Sequence, residues 1–222
     1  MRRVIFDAAR PGRSAPTRLV MLPAAYARPD DFVRAGFVSA VRERRLDLDL
    51  AFAALAQEHV TDRLGLARLR TELILPSRAA GSAVWLGGIS LGGFLALCCA
   101  ERHAGELAGL CLFAPYLGTH LVTGEIERAG GLAGWDASAV ADDDDERRVW
   151  RFVKTLRGSP LPVHLGLGSH DRFGRRHRLM TAALAPASVD TVPGGHDWAT
   201  WRTLWERFLD TRFAGHSRVG SA

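Results

Sequence analysis

Short apolar segments alternate with longer amphipathic segments along most of this chain. Apolar residues run together in five segments that we predict to be strands: residues 18–22, 83–87, 107–114, 161–167 and 188–192. Apolar and acidic residues alternate over residues 46–50, which predicts a further strand at the edge of a sheet. Because strands that alternate with helices are typical of parallel sheets, the expected fold class is α/β: a three-layer α/β/α sandwich with a mostly parallel, doubly wound sheet.

The amphipathic segments predict the helices between these strands. Apolar residues repeat at helical spacing over residues 30–41, and a second helix is predicted over residues 62–75, ended by Pro76. A third helix is predicted over residues 173–184. The last helix is strongly amphipathic, with one apolar face made of Trp198, Trp201, Leu204, Trp205, Phe208 and Leu209.

The regular alternation stops between Pro115 and Arg157, where glycines make much of the chain loop-like. The acidic residues 142–146 are compatible with a metal site, but acidic residues also stabilise the start of a helix through its dipole. We favour the helix and predict no metal, with the apolar face made of Val149, Trp150, Val153 and Leu156.

We expect a single domain over residues 1–222, because a chain of this length can form one sizeable core. Residues 115–157 are expected to form a small cap-like insertion over the carboxyl edge of the sheet and to shape a substrate pocket. Tyr116, Leu117 and Trp135 are candidates to line that pocket, and Trp150 is either a lining or a core residue.

Composition and charge narrow the possible partners. The formal net charge is +5, but the arginines are scattered and no nucleic-acid motif is present, so we predict no nucleic-acid partner. No segment is long and apolar enough to predict a membrane span, and Met1–Asp7 shows no signal peptide, which predicts a cytoplasmic protein. Three cysteines without metal-ligand spacing, Cys98, Cys99 and Cys111, are predicted to be buried thiols.

The most informative motif is Gly88-Ile89-Ser90-Leu91-Gly92, which lies between a predicted strand and an apolar, helix-like segment. A serine between a strand and a helix with glycines two residues away is typical of a nucleophile elbow. The strained turn exposes the serine hydroxyl, and the glycines avoid collisions that side chains would cause. The alternative is an ordinary glycine-rich turn; we favour Ser90 as a nucleophile.

A serine nucleophile needs a histidine base and a carboxylate that orients the histidine. In such folds the chain order is serine, acid, histidine, each following a strand. Asp171 follows the strand at 161–167, and His196 follows the last strand, so we predict a triad of Ser90, Asp171 and His196. The alternatives are a helix cap for Asp171 and a surface role for His196, whereas Asp197 is better explained as the cap of the last helix.

Two backbone N–H groups are needed to stabilise the oxyanion of the tetrahedral intermediate. The elbow supplies that of Leu91, and the loop after the first buried strand, Pro23-Ala24-Ala25-Tyr26, is expected to supply the second. We predict Ala25 as this donor, with Ala24 as the alternative.

With these three loops in order, the chain resembles the α/β-hydrolase superfamily over nearly its full length. The segment Gly194-Gly195-His196-Asp197-Trp198-Ala199-Thr200-Trp201 is also similar to the histidine loop of the feruloyl-esterase and S-formylglutathione-hydrolase branch. The resemblance implies cleavage of acyl esters or thioesters. Two features depart from the family pattern: the first antiparallel strands are missing or reduced, and the oxyanion loop reads Pro-Ala-Ala.

The sequence therefore predicts a serine hydrolase that cleaves a carboxylic ester or thioester of a small acyl substrate through an acyl-enzyme on Ser90, without a cofactor. An acyltransferase with the same triad and a non-catalytic binding protein on the same fold are the alternatives. The identity of the substrate and the oligomeric state stay open.

Overall fold

A computed structural model describes residues 3–55 and 63–214 of the chain. These residues form a seven-stranded sheet in the order β1-β3-β2-β4-β5-β6-β7. β1 pairs with β3 in antiparallel orientation, and the remaining neighbours are parallel, which confirms the predicted mostly parallel sheet. The strands are β1 (Arg3–Asp7), β2 (Thr17–Leu22), β3 (Leu48–Ala54), β4 (Ala83–Ile89), β5 (Gly109–Phe113), β6 (Val163–Gly168) and β7 (Val189–Val192).

Helices cover both faces of the sheet and bury a separate apolar cluster on each. Residues of α1, α2 and α9 form the core on one face, and residues of α3, α5 and α7 form it on the other. The predicted three-layer α/β/α sandwich is confirmed. In the described part of the chain the helices are α1 (Pro29–Arg34), α2 (Phe37–Glu43), α3 (Arg63–Leu69), α4 (Leu75–Ala79), α5 (Leu91–His103), α6 (His120–Arg128), α7 (Asp145–Thr155), α8 (Gly174–Thr181) and α9 (Trp198–Phe213).

The prediction of an edge strand at residues 46–50 is wrong. β3 lies between β1 and β2 in the sheet, and β1 forms the antiparallel edge. Asp49, which made the pattern alternate, is only 2% exposed and accepts hydrogen bonds from the backbone of Ala9 and Ala15 and from Arg18. A polar position in this strand is therefore buried and paired, which the pattern alone does not reveal.

Two predicted helices also differ in the structure. The segment at 30–41 divides into α1 and α2, because Gly36 adopts a left-handed conformation with φ of 81°. Pro76 does not end the second helix: a π-helical turn at Arg70–Ile74 leads into α4, and Pro76 lies in its first turn, where a missing N–H is tolerated. The predicted start of that helix at residue 62 lies outside the described residues.

The acidic residues 142–146 start a helix, as predicted. Asp144 Oδ1 accepts a hydrogen bond of 2.9 Å from Arg147 N–H and caps α7. α7 packs against α5, where Arg148 pairs with Glu101, so this helix belongs to a main helical layer. Among the described residues, no group of three or more His, Cys, Asp or Glu side chains is arranged to hold a metal ion.

The three cysteines are free and buried, as predicted. Burial raises the pKa of each thiol, that of Cys99 to about 12, so none of them offers a thiolate near neutral pH. Within residues 3–55 and 63–214, no helix has the length and apolar character needed to cross a membrane.

Candidate active site

Ser90 lies in a strained turn between β4 and α5. Its φ of 50° and ψ of −112° belong to a region that side-chain-bearing residues rarely adopt. A Cβ added to Gly88 would lie 2.3 Å from the Gly92 backbone, and one added to Gly92 would lie 2.1 Å from Leu22 O. Both glycines are therefore required by the close approach of the elbow backbone to itself and to the end of β2.

Backbone hydrogen bonds from the neighbouring strand hold the Ser90 peptide in this conformation. Ser90 N–H donates to Phe113 O at 3.0 Å, and Ser90 O accepts from Tyr116 N–H at 2.8 Å. Phe94 N–H, one turn into α5, donates to the same carbonyl at 3.2 Å. The segment after β5 thus supports the position of the serine.

Asp171 and His196 meet at the same edge of the sheet. His196 Nδ1 lies 2.7 Å from Asp171 Oδ2, and the Asp171 side chain is 0% exposed. Asp171 Oδ1 also accepts a hydrogen bond from Phe173 N–H at 2.8 Å. Burial alone would raise the pKa of Asp171, but these hydrogen bonds outweigh burial and lower it, so the carboxylate is ionised at neutral pH.

The loops that carry the acid and the histidine are joined through their backbones. Ser169 N–H donates to Val192 O at 2.8 Å, and His170 N–H donates to Gly194 O at 2.9 Å. Gly194 has a φ of 139°, and a Cβ there would lie 2.2 Å from Thr200 Oγ1. The glycines of the histidine loop therefore allow it to fold against the acid loop and the start of α9.

Asp197 caps α9, as the sequence indicated. Its Oδ1 accepts a hydrogen bond of 2.9 Å from Thr200 N–H. The neighbouring aspartate is thus occupied by the helix, whereas Asp171 contacts the imidazole.

Three side chains around His196 were not found by sequence reasoning. The rings of Phe173 and Trp201 contact the imidazole edge-to-face, with centroids 5.0 and 5.1 Å away. His177 is buried, its Nε2 lies 3.1 Å from Pro115 O, and burial lowers its pKa. No local pattern marks Phe173, just before α8, or His177 as a neighbour of the imidazole, and Trp201 was predicted only on the apolar face of the last helix and at the end of the histidine loop.

The segment predicted to complete the oxyanion hole lies beside the elbow. The contact of Gly92 with the backbone of Leu22 and Pro23 brings the start of α5 against this loop. Ala24 O accepts a hydrogen bond from Ala27 N–H at 3.1 Å, which forms a tight turn. The roles of the Leu91 and Ala25 N–H groups, and the choice between Ala24 and Ala25, stay predictions.

A cavity of about 530 Å³ adjoins the elbow. Phe94 and Tyr116, which both donate backbone hydrogen bonds to Ser90 O, form its apolar wall. Trp135, Leu117 and Trp150 are instead buried in the core, so Tyr116 alone of these candidates lines the cavity. The rest of the lining was not predicted and is mostly acidic: Ala141, Asp143, Asp144, Asp145 and Glu146.

The sheet, the strained turn at Ser90 and the loops that follow β6 and β7 form an α/β-hydrolase fold. The model of the Esterase family matches residues 73–208, which is more than half of the chain. The chain therefore belongs to the Esterase family and is an ester hydrolase.

Solved structures share this fold at low sequence identity. Est1E from Butyrivibrio proteoclasticus is 14% identical, with a TM-score of 0.65 over 95% of this chain and 94% of that one. An S-formylglutathione hydrolase from Staphylococcus aureus is 12% identical, with a TM-score of 0.58 over 89% and 82% of the chains. A monoacylglycerol lipase from Paleococcus ferrophilus is 14% identical, with a TM-score of 0.62 over 97% and 99%. Comparison with curated protein sequences gives no significant match.

Proposed function

We propose that this esterase works through an acyl-enzyme on Ser90, with His196 as the general base and Asp171 as the residue that orients it. The observation that carries the proposal is the 2.7 Å contact between His196 Nδ1 and the fully buried Asp171 carboxylate. Both loops reach the sheet edge at which Ser90 occupies its strained turn.

Each residue has a separate chemical role. Ionised Asp171 accepts a hydrogen bond from the Nδ1–H of His196, which leaves Nε2 without a proton and able to take the proton of Ser90 Oγ as that oxygen attacks the acyl carbon. His196 then gives the proton to the leaving group. Water next attacks the acyl carbon while His196 takes its proton, and His196 returns that proton to Ser90 Oγ as the acid is released. Edge contacts from Phe173 and Trp201 limit rotation of the imidazole.

The oxyanion that forms at each step accepts hydrogen bonds from the N–H groups of Leu91 and Ala25. Losing one such donor typically costs about 2.7–4 kcal/mol of transition-state stabilisation. The close packing of Gly92 against Leu22 and Pro23 supports this arrangement, since it fixes the distance between the two donor segments.

The substrate is a carboxylic ester or a thioester of a small molecule. The cavity beside Phe94 and Tyr116 is large enough for an acyl group, and both residues donate backbone hydrogen bonds to Ser90 O. A thioester stays a candidate substrate because one structural neighbour is an S-formylglutathione hydrolase. Family membership favours hydrolysis over a non-catalytic role.

The test is the hydrolysis of p-nitrophenyl acetate and labelling by a fluorophosphonate probe. We expect Ser90→Ala to abolish both, while Ser39→Ala, an exposed serine on α2, keeps wild-type rates and labelling. Undiminished turnover by a folded Ser90→Ala variant would exclude Ser90 as the nucleophile.

A further inference from the structure

A positively charged groove lies between α6 and α8, close to the proposed catalytic residues. It encloses about 340 Å³, and its walls include Thr123 and Glu127 of α6 and the segment from Arg172 to Arg176. Arg175 forms a two-point ion pair with Glu127, with N···O distances of 2.9 and 2.7 Å, so the single carboxylate in this wall is already neutralised.

Two guanidinium groups in the groove have no carboxylate partner in the part of the chain that the structure describes. Arg172 and Arg176 both lie over the ring of Phe173, with their Cζ atoms 4.9 and 5.7 Å from its centroid. Neither forms an ion pair with any residue that the structure describes. By contrast, the acidic side of the neighbouring cavity is partly occupied, because Asp144 caps α7 and Glu146 accepts hydrogen bonds from Thr119.

The groove adjoins His196 of the proposed catalytic machinery through Phe173. Phe173 contacts the Arg172 and Arg176 guanidinium groups with its face and the imidazole of His196 at a centroid distance of 5.0 Å.

The position of the groove also indicates which part of the substrate it faces. In the proposed mechanism His196 donates a proton to the leaving group, so the leaving group lies on the His196 side of the scissile bond. Phe173 separates the imidazole from the groove by the width of one aromatic ring.

We propose that the groove binds an anionic group, a carboxylate or a phosphate, on the leaving-group part of the substrate through Arg172 and Arg176. Planar guanidinium groups bind both anions with paired hydrogen bonds. This inference rests on the proposed function, because it assigns a binding site to the leaving group of the proposed ester hydrolysis.

The kinetic test compares acetate esters that share an aromatic leaving group and differ in charge. The esters are those of 4-hydroxybenzoate, 4-hydroxyphenyl phosphate and the neutral 4-hydroxybenzamide, each corrected for its uncatalysed hydrolysis. We expect kcat/KM of at least one anionic ester to exceed that of the neutral ester by about tenfold or more, the effect of one charge-assisted contact. The better anion distinguishes a carboxylate site from a phosphate site.

Substitutions then assign the preference to the groove. In the double variant Arg172→Gln/Arg176→Gln, the ratio of anionic to neutral kcat/KM is expected to fall to about one. Arg178, an exposed arginine of α8, does not line the groove, so Arg178→Gln should keep the wild-type ratio. Added salt should weaken the preference, because the two guanidinium groups are partly solvent-exposed. A wild-type ratio near one, or an unchanged ratio in the double variant, would overturn the proposal.

Binding without turnover separates this inference from the catalytic assignment. In Ser90→Ala, calorimetry should detect 4-hydroxybenzoate or 4-hydroxyphenyl phosphate binding more tightly than 4-hydroxybenzamide, and the two arginine substitutions should abolish the difference. Selective anion binding without any ester hydrolysis by the wild type would refute the proposed function and leave the groove assignment standing. Ester hydrolysis without anion selectivity would refute the groove assignment and leave the proposed function standing.

Discussion

Replacing Asp171 with asparagine tests the role of the carboxylate without changing the shape of the side chain. Asp171 uses both oxygens as acceptors, one for Phe173 N–H and one for His196 Nδ1. Asparagine has one acceptor oxygen, so its NH₂ group must face one of these donors in a site where the Asp171 side chain is 0% exposed. If NH₂ faces His196, the imidazole must carry its proton on Nε2 and cannot act as the base.

The expected loss in kcat is large because, in either orientation of the amide, the NH₂ group faces a donor that the carboxylate oxygens of Asp171 accept from in the wild type. Comparable substitutions in serine-hydrolase triads reduce kcat by roughly 10⁴-fold, which corresponds to about 5.4 kcal/mol. The assay is steady-state hydrolysis of p-nitrophenyl acetate, with circular dichroism and thermal unfolding to show that the variant is folded.

Asp197→Asn supplies the matched control. Asparagine caps helices as well as aspartate does, so this variant should retain at least about half of the wild-type kcat. If folded Asp171→Asn keeps more than about a tenth of kcat, or if Asp197→Asn loses as much as Asp171→Asn, the assignment of Asp171 as the orienting acid is refuted.

Three further predictions concern the elbow, the loop behind it and the sheet. Gly92→Ala places a Cβ 2.1 Å from Leu22 O, so we expect the unfolding free energy to fall by about 1–3 kcal/mol and the esterase activity to be lost. Denaturant titration and an activity assay measure the two effects, and wild-type values for both would contradict the elbow geometry. His177→Phe removes the donor to Pro115 O and should lower Tm, whereas His177→Gln keeps a donor and should lower Tm less. Equal Tm values for the wild type and both variants would exclude this hydrogen bond. Asp49→Asn should lower the unfolding free energy by about 1–3 kcal/mol at pH 7.

The pH dependence of the Asp49 effect follows from the sign of its pKa shift. Burial would raise the pKa of Asp49, but hydrogen bonds from Ala9, Ala15 and Arg18 outweigh burial and lower it in the folded state. Its stabilising contribution is therefore present above the unfolded-state pKa of about 3.9 and is lost as the pH falls through the lower folded-state value. Wild type and Asp49→Asn should converge in urea titrations at acidic pH, and a constant difference would contradict this origin.

The fold could be predicted where a local pattern reports burial directly. Continuous apolar segments identified the inner strands, and the amphipathic pattern identified α9. The prediction was wrong where the pattern depends on a distant partner. Asp49 makes β3 look half-exposed, although Arg18 and the backbone near β2 satisfy it inside the sheet.

The candidate site divides in the same way. Ser90, Asp171 and His196 have local signals, namely flanking glycines and positions just after strands, and the structure brings Asp171 and His196 into contact. Phe173 and the arginine groove have no such signal, because their neighbours come from α6 and from the loop before α9. Only the path of the chain in three dimensions brings those segments together.

Trapping the acyl-enzyme examines the nucleophile itself. Rapid mixing of the protein with excess p-nitrophenyl acetate, followed by acid quench and peptide mass spectrometry, locates the acyl group. We predict a burst of nitrophenol close to one equivalent and an acetyl group on Ser90, absent in Ser90→Ala and accumulating in Asp171→Asn only in proportion to its slower acylation. An acetyl group on another side chain, or steady hydrolysis with no covalent adduct, would contradict the proposed mechanism.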